Sequence, residues 1–110
     1  MKTKCLRIDL TNQTHEIDAI PPEIMDRYLG GRSLGAYLLY KHFEKSVDPL
    51  SADNVLIFSV GPLQGTDAYY SSRAVLTTKS PLTGIYLYSV ASGRLGHDIR
   101  KAGYMSIVIT

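Results

Sequence analysis

The five residues Ser80-Pro81-Leu82-Thr83-Gly84 constrain this chain more than any other stretch, because they stop one β-rich run and start the next. Pro81 has no N–H to donate and cannot continue a β-ladder, and Gly84 supplies any positive φ the turn requires. Ser72 to Thr78 is therefore read as one strand and Ile85 to Val90 as the following one. The first lies in the string RAVLTTKSPLTG, with Arg73 at its head and Lys79 at its tail. Side chains alternate across a strand, so Arg73, Val75, Thr77 and Lys79 share a face. Six residues of extended chain hold the two cations roughly 20 Å apart, too far to clamp one phosphate. Lys79, just ahead of the Ser-Pro turn, is read as structural or solvated. Arg73 follows the loose stretch GTDAYYSS and is the better anion ligand, since its planar fork suits phosphate. On the residues alone, a solvated strand end is the plainer reading.

The rest of the chain supplies elements of similar size. Cys5 to Leu10, with Leu6, Ile8 and Leu10 on one face, and His15 to Asp18 flank the turn TNQT and predict a hairpin. Pro21-Pro22-Glu23 starts a short helix in which Ile24 and Tyr28 share a face, and Gly30 stands where a glycine would end it. A second helix is predicted from about Arg32 to Phe43, with Leu34, Leu38, Leu39 and Phe43 as its apolar stripe. VDPLSADN is a loop by composition. Asn54 to Val60 is a near-continuous apolar run, read as a buried strand, and GPLQGT breaks it. After Val90, ASGRLGHDIRKAG carries Leu95, Ile99 and Ala102 at helical spacing, and Tyr104 to Ile109 is a last strand. Six strands with two or three helices, not in strict alternation, predict an α+β fold, a β-rich mixed sheet. The length suits one small domain and not two, and a sequence that stops directly after a strand is expected of a fragment of a longer protein.

Charge and cysteine count narrow the chemistry. A net charge of +2 with both signs scattered is too weak a field to argue for nucleic acid or an anionic membrane. No apolar run approaches the ~20 residues of a membrane span, and the N-terminus lacks the apolar core of a secretory signal, so a cytoplasmic location is expected. The single cysteine, Cys5, excludes an internal disulfide and a cluster held by this segment's own thiolates. Lys2 and Lys4 stand beside it and favour its thiolate slightly, but a small buried hydrophobe is the favoured reading. His15, His42 and His97 show no ligand spacing. No catalytic motif or paired carboxylate is present, so no catalytic residue and no metal ligand is assigned.

Two further stretches are equipped to bind. SVASGRLG, Ser89 to Gly96, leads from a strand into a helix whose free N–H groups could meet an anion; Ser92 capping that helix is the plainer reading. YLGGRSLGAYLL, Tyr28 to Leu39, places two glycines before Arg32, where helix–turn–helix punctuation is the plainer reading. Tyr86 and Tyr88 on one strand face would suit base stacking, though strand tyrosines are more often packing residues.

The strings YLGGRSLGAYLLY, VDPLSADNVLIFSVGPLQGT, RAVLTTKSPLTG and LGHDIRKAGYMSIVI, in this order, resemble the N-terminal domain of the aldehyde ferredoxin oxidoreductase family from about Arg27 to Ile109. The resemblance implies the first half of a saddle domain on which a tungsten or molybdenum bis-pterin rests, with a magnesium ion bridging the pterin phosphates. It implies cofactor contacts at Arg73 and along Val90, Ser92 and Gly93. A 4Fe–4S cluster, the substrate pocket and their ligands would belong to later domains, and electrons would pass to ferredoxin as an aldehyde becomes a carboxylic acid. The implied partners are the remainder of the enzyme or a companion subunit, ferredoxin and a small aldehyde, with room for a homo-oligomer and no role for nucleic acid or membrane.

Some positions depart from the family pattern. Val90-Ala91-Ser92-Gly93 stands where the family usually has Asn-Ser-Gly-Gly, Arg94 replaces an aromatic, Ser33 replaces a glycine and DAYYSS is bulkier than usual. A contact made through the main-chain carbonyl at Val90 survives the change; one made through a side-chain amide does not. These changes motivate the alternative reading, a truncated non-catalytic relative acting as a partner-binding or assembly module.

Overall fold

The computed structural model describes residues 3–42 and 47–110. They form β1 (Lys4–Asp9), β2 (Thr14–Ala19), α1 (Pro22–Tyr28), α2 (Gly31–His42), β3 (Leu56–Ser59), β4 (Ala74–Lys79), β5 (Tyr86–Ala91), α3 (Leu95–Lys101) and β6 (Tyr104–Ile109). The fold is α+β, as the element pattern predicts. One sheet runs β2-β1-β6-β3-β4-β5, antiparallel throughout except for the parallel pair β1–β6. The last strand therefore lies between the first hairpin and the β3–β4–β5 meander and joins them.

The turn between β4 and β5 is built by Ser80. Its hydroxyl accepts from the N–H groups of Leu82 and Thr83, both at 3.2 Å, and its own N–H donates to the Ile85 carbonyl at 2.8 Å. Gly84 takes a φ of 72°, the left-handed conformation expected there.

At the end of α1, Leu29 is the C-cap, with φ 61° and its N–H donated to the Met25 carbonyl, and Gly30 follows at the C′ position with a φ of 137°, where the sequence reading places a terminating glycine. Gly30 is required for a second reason: a side chain there would collide with the Val60 carbonyl. The adjacent Gly31 N–H donates to that same carbonyl at 3.0 Å. The two glycines thus dock the start of α2 onto the end of β3.

Leu34, Leu38 and Leu39 are buried along α2 as predicted, joined by Gly35; Phe43 lies outside the described residues. The ladder pairs Ile57 with Thr77 and Val108, Ser59 with Val75 and Ser106, and Ser106 with Cys5. These side chains make up the sheet face that α2 covers. The opposite face is only partly covered. Where α3 packs on β6, Val60, Ala74, Ile99 and Met105 belong to the buried core. Beyond them a row of directly paired apolar residues, Ile17–Leu6–Ile107–Phe58–Leu76, crosses five strands with each side chain partly or largely exposed. The predicted apolar face of the first hairpin, Leu6, Ile8 and Leu10, lies on this uncovered side, whereas Cys5 enters the core. Burial pushes the Cys5 thiol up rather than down, so the lysine-assisted thiolate is overturned. On α3 the buried positions are Gly96 and Ile99; Leu95 is largely exposed and Ala102 is exposed too.

Candidate functional site

Arg73 immediately precedes Ala74, and Ala74 pairs with Ala91, the residue before Ser92. The head of β4 and the end of β5 therefore meet, and the ladder brings Arg73 to Ser92 and Gly93. Val75 pairs with Val90, which places Val90 on the face to which the alternation of β4 assigns Arg73. The four residues singled out in sequence thus come together at one corner of the sheet, all exposed. Among the described residues the Arg73 guanidinium has no hydrogen bond or ion pair. Gly93 opens onto empty space.

The capping role for Ser92 is overturned. The residue at the helix N-cap is Arg94, and no side chain caps α3. Ser92 lies two residues upstream, in the connection from β5. Arg94 instead reaches along its own helix to Asp98 at 3.5 Å, an exposed pair.

The two cations of RAVLTTKSPLTG differ in kind. Lys79 is 7% exposed and donates its ammonium to the Val47 carbonyl at 2.6 Å, while its own carbonyl accepts from the Asn54 amide. It is structural, and the solvated reading fails because the loop before β3 folds over it. Arg73 is the cation left facing outward.

The arginine of the GGR segment is also engaged. The Arg32 guanidinium lies 4.9 Å from the Tyr88 ring centroid and donates to the Tyr88 hydroxyl at 3.1 Å. Tyr86 lies beside Tyr88, ring centroids 6.0 Å apart. These contacts fasten the start of α2 to β5, and the glycines punctuate the chain as the plainer reading held.

One residue of this corner gave no signal in sequence. Gln64, in the loop GPLQGT, is 5% exposed and donates its side-chain amide to the Arg73 carbonyl. A glutamine between glycines has neither periodicity nor charge to mark it. His42 is half-buried, and desolvation followed by the charges of Arg7 and Lys41 pushes its pKa down. Among the described residues no group of three His, Cys, Asp or Glu side chains is placed to hold a metal ion. No helix among them is long and apolar enough to cross a membrane.

Comparison with known proteins bears on this corner. Residues 5–110 match the family described as aldehyde ferredoxin oxidoreductase, N-terminal domain. The chain is 40% identical over 106 residues to a tungsten-containing aldehyde ferredoxin oxidoreductase of Pyrococcus abyssi, covering 96% of this chain and 18% of that protein. It is 34% identical to an aliphatic sulfonate oxidoreductase, WOR-like subunit, of Pyrococcus furiosus, covering 96% and 17%. Among solved structures it is similar to the active-site complex BamBC of benzoyl coenzyme A reductase in complex with 1,5-dienoyl-CoA. That match has a TM-score of 0.94 and 33% identity, and covers 99% of this chain and 17% of that one. The chain thus spans less than a fifth of the length of the relatives it matches.

Proposed function

The chain belongs to the aldehyde ferredoxin oxidoreductase family, and on that premise we propose that it is the cofactor-cradling N-terminal segment of a larger tungsten- or molybdenum-dependent oxidoreductase. The observation that carries this reading is Arg73: an outward guanidinium without a hydrogen bond or ion pair among the described residues, at the head of a strand, beside an exposed hydroxyl and an open glycine. That donor set fits an anionic organic group. A guanidinium offers two parallel donors to a phosphate, Ser92 a hydroxyl, the Ser92–Gly93 main chain its peptide groups, and Val90 an apolar surface for a ring system. Arg73, Val90, Ser92 and Gly93 would therefore hold the phosphate-bearing part of a bis-pterin and its bridging magnesium. The bound metal would supply the redox chemistry, while these residues bind and orient.

The relatives support a role in cofactor rather than substrate binding. They are named for an aldehyde, an aliphatic sulfonate and a coenzyme A thioester, yet share this segment at 33–40% identity. What such different reactions have in common is not the substrate. We read the whole protein as oxidising aldehydes to carboxylic acids with ferredoxin as acceptor, its 4Fe–4S ligands outside this chain. The uncovered apolar row Ile17–Leu6–Ile107–Phe58–Leu76 suits packing against the remainder of such an enzyme.

The test is metal and pterin analysis of the full-length protein after gel filtration, with Arg73→Ala and Arg73→Lys alongside. The wild type should carry tungsten or molybdenum with pterin, and Arg73→Ala should lose it by roughly ten-fold or more, as expected for loss of a charge-assisted pair. Full retention in Arg73→Ala would overturn the assignment. A wild type carrying neither metal nor pterin would favour the partner-binding module.

A further inference from the structure

Gln64 touches both halves of the corner that holds Arg73. Its side-chain N–H donates to the carbonyl of Arg73. The same amide lies against Gly96 in the first turn of α3, so close that a Cβ at Gly96 would stand 2.5 Å from Oε1 and 3.0 Å from both Cδ and Nε2 of the glutamine. The next residue continues the contact. Gly65 lies against the aliphatic stem of Arg100, whose Cγ would be 3.2 Å from a Cβ at Gly65. Gly96 and Arg100 are one helical turn apart and so share a face of α3. The loop between β3 and β4 is therefore seated along that face, and one side chain reaches from it to the peptide that carries Arg73.

The chemistry of the amide makes this link directional. Its oxygen is buried without a hydrogen-bond partner among the described residues, and one of the two N–H donors on its nitrogen goes to Arg73. A glutamine buried to 5% exposure with its oxygen unpaired calls for a reason, and the bond to the Arg73 carbonyl supplies one. Removing the N–H would leave the Arg73 carbonyl, the last one before the β4 ladder begins, without that donor, and would free the Arg73 peptide to move relative to α3 and the Ser92–Gly93 connection leading into it.

We infer that Gln64 is a positioning residue, which fixes the backbone of Arg73 against α3 so that the guanidinium and the Ser92–Gly93 main chain present one preorganised anion-binding corner. The inference rests on the cofactor-cradling reading. It assigns Gln64 no contact with the cofactor.

Two variants of the full-length protein test it, read by bound tungsten or molybdenum per chain and by thermal melting. Gln64→Met keeps the volume and removes both donor and acceptor. It should lower retained metal roughly ten-fold, the scale expected when a partner behind a ligand is lost, while the circular dichroism spectrum stays that of the wild type. Gln64→Glu sets a carboxyl in the same buried place, facing the Arg73 carbonyl, where desolvation pushes its pKa well above the free glutamate value; protonated it offers an O–H donor, and ionised it does not. Its metal retention should be near the wild-type level at pH 5.5 and fall as the pH is raised to 10, with the wild type flat over that range. A purely structural role would move melting temperature but give no such fall at temperatures far below the melt. Wild-type retention in Gln64→Met, or pH-independent retention in Gln64→Glu, would overturn the inference. Arg73→Ala, measured in parallel, separates the two claims. If it keeps its metal, the cofactor reading itself has failed; if it loses metal while both Gln64 variants keep theirs, only the positioning role is lost.

Discussion

Helix α2 lies backbone-close to the middle of the sheet at Gly35, whose missing side chain leaves room for the hydroxyl of Thr77. A Cβ at Gly35 would collide with that oxygen and stand 3.5 Å from the hydroxyl of Ser59. Thr77 is fully buried, and its hydroxyl has no hydrogen-bond partner among the described residues. Gly35→Ala should therefore destabilise by about 1–3 kcal/mol, the usual cost of forcing atoms into a packed core, measured by denaturant unfolding. Combining it with Thr77→Ala should recover part of that loss, because the double variant removes the colliding oxygen. Equal and additive losses would show that the contact does not set the helix position.

Leu29 closes α1 with a φ of 61° while 63% exposed. A left-handed residue with a Cβ costs about 1–2 kcal/mol, and little apolar burial offsets it here. Leu29→Gly should raise stability by about 0.5–1 kcal/mol after glycine's larger unfolded-state entropy is subtracted. A lowered melting temperature would mean that the leucine side chain is covered in the whole protein.

Much of this fold was legible because its signals are local. The Ser80–Gly84 turn, the leucines of α2 and the six strands follow from turn chemistry and periodicity, with boundaries shifted by a residue or two. Which face of each strand is covered was not legible. Alternation puts Leu6, Ile8 and Leu10 on one face, but only the sheet order shows that this face has no helix over it, while Cys5 is buried on the other. The site divided similarly. Arg73 and the Ser92–Gly93 connection stand out in sequence, one by charge and the other by glycine. Their meeting follows from the hairpin register that the Ser80–Gly84 turn sets, which pairs Ala74 with Ala91, whereas Gln64 contributes through a main-chain carbonyl that side-chain patterns do not reveal.

Asp9 ties the β1–β2 turn by accepting from the Asn12 amide at 2.8 Å and from the N–H groups of Thr11 and Asn12. The Asn12 side chain, then the Asn12 N–H, hold its carboxyl below the ordinary aspartate value. A depressed folded pKa means the stabilisation is present above the unfolded value near 3.9 and is lost as pH falls through the lower folded value. Asp9→Ala should thus melt lower than wild type at pH 7, and the gap should close as the pH is taken down through the carboxylate range. A gap independent of pH would show that the turn is held by something other than the ionised carboxylate.

Lys79 and Arg73 terminate the same strand, and their substitution should separate stability from binding. Lys79 is buried with its ammonium on the Val47 carbonyl. Lys79→Ala removes a charge-assisted hydrogen bond and leaves a cavity beneath the loop, which should cost about 2 kcal/mol or more. Arg73 is exposed and makes no hydrogen bond or ion pair among the described residues, so Arg73→Ala should stay within about 0.5 kcal/mol of wild type, as exposed substitutions do. The bound metal should move the other way round. It should fall in Arg73→Ala, and in Lys79→Ala it should hold at temperatures well below that variant's melt. Denaturation curves and metal content measured on the same preparations decide this. Should Arg73→Ala unfold as readily as Lys79→Ala, its guanidinium is part of the fold, and the division of labour along β4 is wrong.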